Sequence, residues 1–209
     1  MKITMLLLSI TAASMFFASC NASENEQADL EVVSMDQALL DRTAMMKAKG
    51  DARLAKMKFN MNTIVAIVRN TENFSQLVSA LQQADVSETL MSEGEYTIFA
   101  PTNNAFSKLP KTTFDHLMKQ ENKAALQRLL NYHVVAGRWT INDVLNGISE
   151  NNNTYYLTTL QGDNIIFSAK DDKFFIIDPN GNSSTVVMTD VDASNGIIHG
   201  IDRVIIPKM

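Results

Sequence analysis

The chain has 209 residues, 18 Lys and Arg against 23 Asp and Glu, 45% hydrophobic residues and a single cysteine. One thiol cannot form an internal bridge and the apolar fraction is ordinary for a globular core, so collagenous, low-complexity and disulfide-stapled architectures are excluded. A formal net charge of −5 gives no long-range attraction for polyanions, which argues against nucleic acid as a partner and leaves one domain with extensions as the natural organisation.

At the N-terminus, Lys2 is followed by apolar runs from Met5 to Ile10 and from Ala12 to Phe17, then by the small pair Ala18-Ser19 before Cys20. A basic start, a short apolar core and small residues at a cut are what export machinery reads. The run Phe17-Ala18-Ser19-Cys20 resembles the lipobox of bacterial lipoproteins, with Phe17 where Leu is usual. That resemblance implies removal of residues 1–19 as a signal peptide and a diacylglycerol thioether plus an N-acyl chain such as palmitate on Cys20. An ordinary secretory peptide cut near Ala18 or Ala22, or an uncleaved anchor, are the alternatives. Two or more acyl chains hold a protein stably on a membrane, where a single chain binds reversibly.

Residues Asn21 to Ala28 are small, polar and acidic and read as a spacer. Leu30 to Lys58 carries Met35, Leu39, Leu40, Met45, Met46, Leu54 and Met57 among charged residues, without a sustained period. A helix is compatible with this composition, but Gly50-Asp51 is expected to interrupt it. Residues 20–58 therefore read as a partly helical tether. The cluster Lys47, Lys49, Arg53, Lys56, Lys58 allows a rival reading, a basic amphipathic segment lying on acidic lipid or on a partner.

Residues 59–209 read as the domain. Thr63 to Val68 is an apolar run, and Phe74, Leu77, Val78 and Leu81 recur at helical spacing, with Thr71 or Asn73 as cap. Tyr96 to Ala100 is a strand stopped by Pro101, and Asn103–Lys108, Thr112–Met118 and Lys123–Leu130 are short helices. Tyr132 to Val135 is β-like, and Ile141 to Leu145 is a helical turn behind Thr140. Ile165–Ala169, Phe174–Asp178 and Thr185–Thr189, separated by Lys170-Asp171-Asp172-Lys173 and Pro179-Asn180-Gly181-Asn182, describe two successive hairpins. Ile197-Ile198 and Arg203–Ile206 supply final strands, with Asn195-Gly196 as a turn. Helices first and strands after argue an α+β fold, N-terminal helices packed on a mostly antiparallel sheet.

Three stretches together resemble the fasciclin (FAS1) domain family over about residues 62–207. Tyr96 to Phe106, through Phe99-Ala100-Pro101-Thr102 and Asn104, is similar to its first box, Tyr132-His133 to its Tyr-His motif, and Ala193 to His199, through Asn195-Gly196, to its second box. The family often has Asp or Glu where Asn104 stands. The resemblance implies that these motif residues are structural, with His133 held by hydrogen bonds that fix the packing of the two boxes. It also implies adhesion to another surface component.

No residue stands in a recognisable catalytic or metal-binding context. His116, His133 and His199 form no HxxxH or HxH pair, and no GxSxG, GxGxxG, Walker or HExxH string occurs. Asp190-x-Asp192-x-Ser194 and Asp178-x-Asn180-x-Asn182 begin like calcium loops but lack the later Gly and Glu, and read as turns. The sequons at Asn73, Asn152 and Asn182 are silent if the leader is bacterial. Tyr155 and Tyr156 form either an exposed sugar- or protein-binding surface or a strand that buries one of them. The expectation is an envelope lipoprotein, lipid-anchored in the outer membrane and facing periplasm or surface. It has no cofactor and no catalytic residue, and it binds a protein or glycan. An assembly factor acting through its stalk is the alternative, and a cell-wall hydrolase a weaker one.

Overall fold

The protein's structure, a computed structural model, describes residues 25–92, 94–171 and 173–208. Residues 1–19, expected to be a signal peptide, and Cys20, expected to be acylated, lie outside them. The chain divides into two compact units, Met1–Asp51 and Ala52–Met209. In the first, helix α1 (Asn25–Met61) begins, and its described side chains, Leu39, Leu40, Met45 and Met46 among them, are exposed. The helix continues through Gly50-Asp51, against the expected break. Lys47, Ala48 and Lys49 before the glycine and Ala52, Arg53 and Leu54 after it are strong helix formers, and together they outweigh the cost of about 1 kcal/mol for one interior glycine.

In the second unit the end of α1 is tied down where Ser194 Oγ donates to Phe59 O (2.7 Å) and Ser194 N to Asn62 O (2.8 Å). Thr63 caps α2 (Ile64–Arg69), its hydroxyl oxygen accepting from Ala66 N. Then follow α3 (Ser75–Gln83), β1 (Tyr96–Pro101), α4 (Asn103–Ser107), α5 (Lys111–Leu117) and α6 (Lys123–Tyr132). The second half alternates differently: β2 (Val134–Ala136), α7 (Ile141–Glu150), β3 (Tyr155–Thr158), β4 (Asn164–Lys170), β5 (Lys173–Ile177), β6 (Ser183–Ala193) and β7 (Gly196–Ile201). No described helix is long and apolar enough to cross a membrane.

The strands form one sheet in the order β2-β1-β7-β6-β5-β4-β3. Every pairing is antiparallel except β1 with β7, which run parallel with Phe99 opposite His199. This parallel pair joins the two motif boxes directly, backbone to backbone. The sheet curls until its ends meet: Val135 bridges Thr159, and Leu160 N donates to Val134 O at 2.8 Å. Such near-closure leaves little free edge for stray strand pairing.

Two cores follow from the alternation of side chains along strands. Ile98 and Ala100 of β1 face a helical core with Ile64, Val68, Phe74, Leu77, Leu81, Phe106, Leu126 and Leu130. Phe99 faces the opposite way, into the curl of the sheet, with Tyr132, Val144, Ile148, Leu157, Ile165, Phe167, Ile176 and Ile201. Each fully buried large side chain contributes about 1.5–3 kcal/mol of transfer free energy. A strand buried on both faces reads as a continuous apolar run, as Tyr96–Pro101 does.

The α+β class and both hairpins are as the sequence indicates, and four local expectations are corrected. Helix α6 runs on through Tyr132, so only Val134–Ala136 of the Tyr-His stretch is strand. Residues 203–206 form no strand. Their backbone donors go to side chains instead: Arg203 N to Ser184 Oγ (3.1 Å), Ile205 N to His133 Nε2 (3.2 Å) and Ile206 N to Asp178 Oδ2 (3.3 Å). The helix behind Thr140 is not one turn but α7, launched by a reciprocal Thr140–Asp143 capping box. Neither Thr71 nor Asn73 caps α3. Tyr155 and Tyr156 lie on β3, with Tyr155 half-buried against Trp139 and Tyr156 exposed.

Candidate functional site

The motif residues meet at the joint between β1, β7 and α6. Strand β1 ends at Pro101, and Thr102 turns the chain: its N–H and hydroxyl both donate to Ile201 O, and its hydroxyl oxygen accepts from Ala105 N at 3.3 Å. The cap thus fixes α4 and the end of β7 at once. Ala100, Pro101, Phe99 and Phe106 are buried around it, and Phe106 meets Phe114 edge-on.

Asn104, singled out by the sequence, is exposed, and its side chain only accepts from Ser107 Oγ at 3.4 Å. The neighbouring Asn103 does the bridging. Its Oδ1 accepts from Ser75 Oγ (3.2 Å) and Gln76 N (3.0 Å), and its Nδ2 donates to Glu72 O (2.9 Å). It therefore caps α3 from another element, which is why no local cap exists there. Two adjacent asparagines after an N-cap carry no sequence signal for which one faces the neighbouring helix.

His133 caps α6 and is buried. Its Nδ1 lies 2.8 Å from Leu129 O, and its Nε2 accepts from Ile205 N. A carbonyl on one side and an N–H on the other assign the neutral tautomer with the proton on Nδ1. Burial pushes its pKa down to about 4, partly opposed by the Leu129 hydrogen bond. Its carbonyl accepts from Phe99 N at 2.8 Å. One residue therefore ties α6, β1 and the C-terminal segment together. Tyr132 beside it is wholly buried and donates its hydroxyl to Asn164 O at 3.0 Å. Burial raises the phenol pKa, with Asp178 and Asp163 adding to the effect.

His199 is buried with its ring stacked on Phe99, centroids 5.4 Å apart. Nε2 lies 2.9 Å from Trp139 O and Nδ1 accepts from Asp190 N at 3.3 Å. Burial again lowers its pKa, against the Trp139 hydrogen bond and the Asp190 charge.

Asn195 sits in the two-residue turn between β6 and β7, buried at 1% exposure. Its Oδ1 accepts from Ile64 N (2.9 Å), filling a first-turn donor of α2, and its Nδ2 donates to Leu90 O (2.6 Å). Gly196 follows with φ +152°, and a Cβ there would lie 1.8 Å from Tyr96 O. Only glycine allows the parallel β1–β7 ladder to start at this pair.

Chemically, the polar groups of this joint are engaged in holding elements together. Both nitrogens of His133 and of His199 are engaged by backbone groups, and both rings are driven toward the neutral form. Neither offers a free lone pair to a substrate or a metal. Asp178 is likewise spent on its turn: Oδ1 accepts from Asn180 N and Asn182 N, both at 2.9 Å, and Oδ2 from Ile206 N. Asp190 accepts from Ile141 N while Asp192 pairs with Arg138, so the calcium-like spacing serves two separate contacts. His116 is exposed on α5. Among the described residues no group of three or more His, Cys, Asp or Glu could hold a metal ion.

A sequence profile of the Fasciclin domain matches residues 72–207. Protein sll1483 of Synechocystis sp. is 44% identical over 147 residues, 70% of this chain and 74% of that protein. Immunogenic protein MPB70 of Mycobacterium bovis is 33% identical over 153 residues, 71% of this chain and 70% of that one. Among solved structures, a FAS1 domain pair from the insect cell adhesion molecule Fasciclin I superposes with a TM-score of 0.63 at 19% identity. The match covers 68% of this chain and 50% of that pair, and it shows a shared fold.

Proposed function

This chain belongs to the fasciclin domain family, and from that premise we propose that it is a non-enzymatic binding module of the cell envelope. The carrying observation is the joint itself: His133, Asn195 and His199 are buried with their side-chain polar atoms taken up by architectural hydrogen bonds, so the outer surface is left to do the work. The solved relative described as a cell adhesion molecule supports this direction. In this reading Cys20 is acylated, the tether confines the domain to the outer membrane, and residues 59–209 present a rigid face to a protein or glycan of the envelope or of a neighbouring surface. Many copies on one membrane raise effective concentration, so weak individual contacts suffice.

Mass spectrometry of the mature N-terminus from a membrane fraction tests the anchor. A diacylated or triacylated Cys20 is expected, and an unmodified N-terminus at Ser19 or Ser23, or an intact leader, overturns it. Protease shaving of intact cells then separates outward display from a periplasmic position. Densely displayed domain is expected to retain at least one member of an array of envelope proteins and glycans. Retention of none overturns the binding reading. A second reading, assembly through the stalk, is favoured by the exposed Leu39, Leu40, Met45 and Met46 of α1. Deleting residues 30–58 abolishes function in that case while the domain still folds.

A further inference from the structure

Between α5, α6 and the segment after β7 lies a pit of about 140 Å³. Leu117, Leu129, Val204 and Ile206 wall it, Arg128, Gln161 and Lys208 are its polar residues, and no Asp or Glu among the described residues lines it. Arg128 and Lys208 are exposed, and neither belongs to the ion pairs formed among the described residues. On a chain of net charge −5, an apolar concavity bordered by two cations and, among the described residues, no Asp or Glu is a local reversal of sign. Its size sets the scale of what enters. A cavity of about 150 Å³ lined by aliphatic side chains takes one benzene-sized group, whereas drug-sized ligands need about 300–1,000 Å³. The pit therefore fits one apolar side chain and is too small for an acyl chain or a cofactor.

We propose that this pit is the anchor pocket by which the domain grips an acidic peptide segment of a protein partner. One Phe, Leu or Met side chain of the partner enters between Leu117, Leu129 and Ile206, and carboxylates flanking it in the partner's sequence face Arg128 and Lys208. A desolvated apolar anchor ringed by complementary charge is the arrangement that concentrates binding energy at protein interfaces, with the charges setting encounter rate and partner choice. The inference rests on the binding-module reading and narrows its partner to a protein with an acidic, singly apolar stretch.

The test uses the chain with Cys20→Ser, isotope-labelled, and the probe acetyl-Glu-Asp-Phe-Asp-Glu-amide. Amide shifts on adding millimolar peptide should be confined to the pit's surroundings, namely α5, α6, residues 203–208 and the neighbourhoods of Leu109 and Gln161, and added salt should weaken them. Arg128→Glu, a change at an exposed site, should lower affinity at least about fivefold, and Ala125→Trp should block binding by filling the pit. Peptides with Ser for Phe, or Lys for the acidic residues, should not bind. Shifts elsewhere, no shifts at all, or undiminished binding by Arg128→Glu overturn the proposal. An array of envelope proteins and glycans separates the two readings. If Arg128→Glu keeps all the binding shown by the unsubstituted domain, the pit is wrong while the module stands. If the unsubstituted domain binds nothing there, the premise itself fails.

Discussion

Lowering the pH from neutrality loads protons onto the unfolded chain that the native His133 refuses. Burial holds this imidazole at about 4 against an ordinary 6.5, because a second ring proton would be forced onto Nε2, where Ile205 N–H already points from 3.2 Å. Between those two values the unfolded state binds more protons than the native one, so stability falls as pH falls, by about 1.4 kcal/mol per pH unit. Across the window this amounts to about 3 kcal/mol, a large share of the roughly 5–15 kcal/mol that holds a domain folded. Above the unfolded value the effect vanishes, and below the folded one it saturates. His199, also lowered by burial, acts in the same direction. Asp143 and Asp202, both lowered, act in a different window, since their contribution is lost only as pH falls below the ordinary carboxylate value of 3.8. Urea unfolding followed by Trp139 fluorescence at a series of pH values measures the slope in the natural chain and in His133→Gln. The variant should be weaker by about 1–3 kcal/mol at neutrality, because one glutamine does not satisfy both Leu129 O and Ile205 N in the imidazole's geometry. Its slope should be shallower by about 1.4 kcal/mol per pH unit. Equal slopes in the two proteins, or a His133 ring proton titrating near its ordinary value by NMR, would refute the reasoning.

Three further outcomes are expected. Gly196→Ala drives a Cβ to 1.8 Å from Tyr96 O, so the start of the parallel ladder must shift, and thermal unfolding should show a loss above about 3 kcal/mol or no soluble protein. Asn103→Ala should cost about 1–2 kcal/mol in urea by removing the cap of α3, whereas Asn104→Ala should stay within about 0.5 kcal/mol. Equal costs would show that Asn103 is not the bridge. Gly50→Ala, at a helical position with nothing within 4 Å of the added carbon, should stabilise α1 by up to about 1 kcal/mol, read as increased amide protection of its neighbours.

How much of this was legible beforehand differs element by element. The double hairpin was plain, because Pro179-Asn180-Gly181-Asn182 between β-rich runs supplies the positive φ of Gly181 that a tight turn needs. The apolar run of β1 and the start of α7 were equally local. The cap of α3 was not, because the oxygen that accepts its first-turn hydrogen bonds belongs to Asn103, 28 residues beyond Ser75, and nothing near Ser75 announces it. The final segment looked like a strand because Val204-Ile205-Ile206 is apolar and β-branched. Its backbone donors nevertheless find Ser184, His133 and Asp178, and side-chain partners make no ladder.

The chain alone thus determined its class, its hairpins and its motif boxes, since each depends on residue type at short spacing. Only the tertiary structure decided that β1 runs parallel to β7, that the sheet curls until Val135 meets Thr159, and that both buried histidines are engaged on both ring nitrogens. Those are pairings between groups far apart in sequence. A side chain's local pattern states its preference for burial or for a turn, but the partner that satisfies a buried donor is chosen when distant segments pack together.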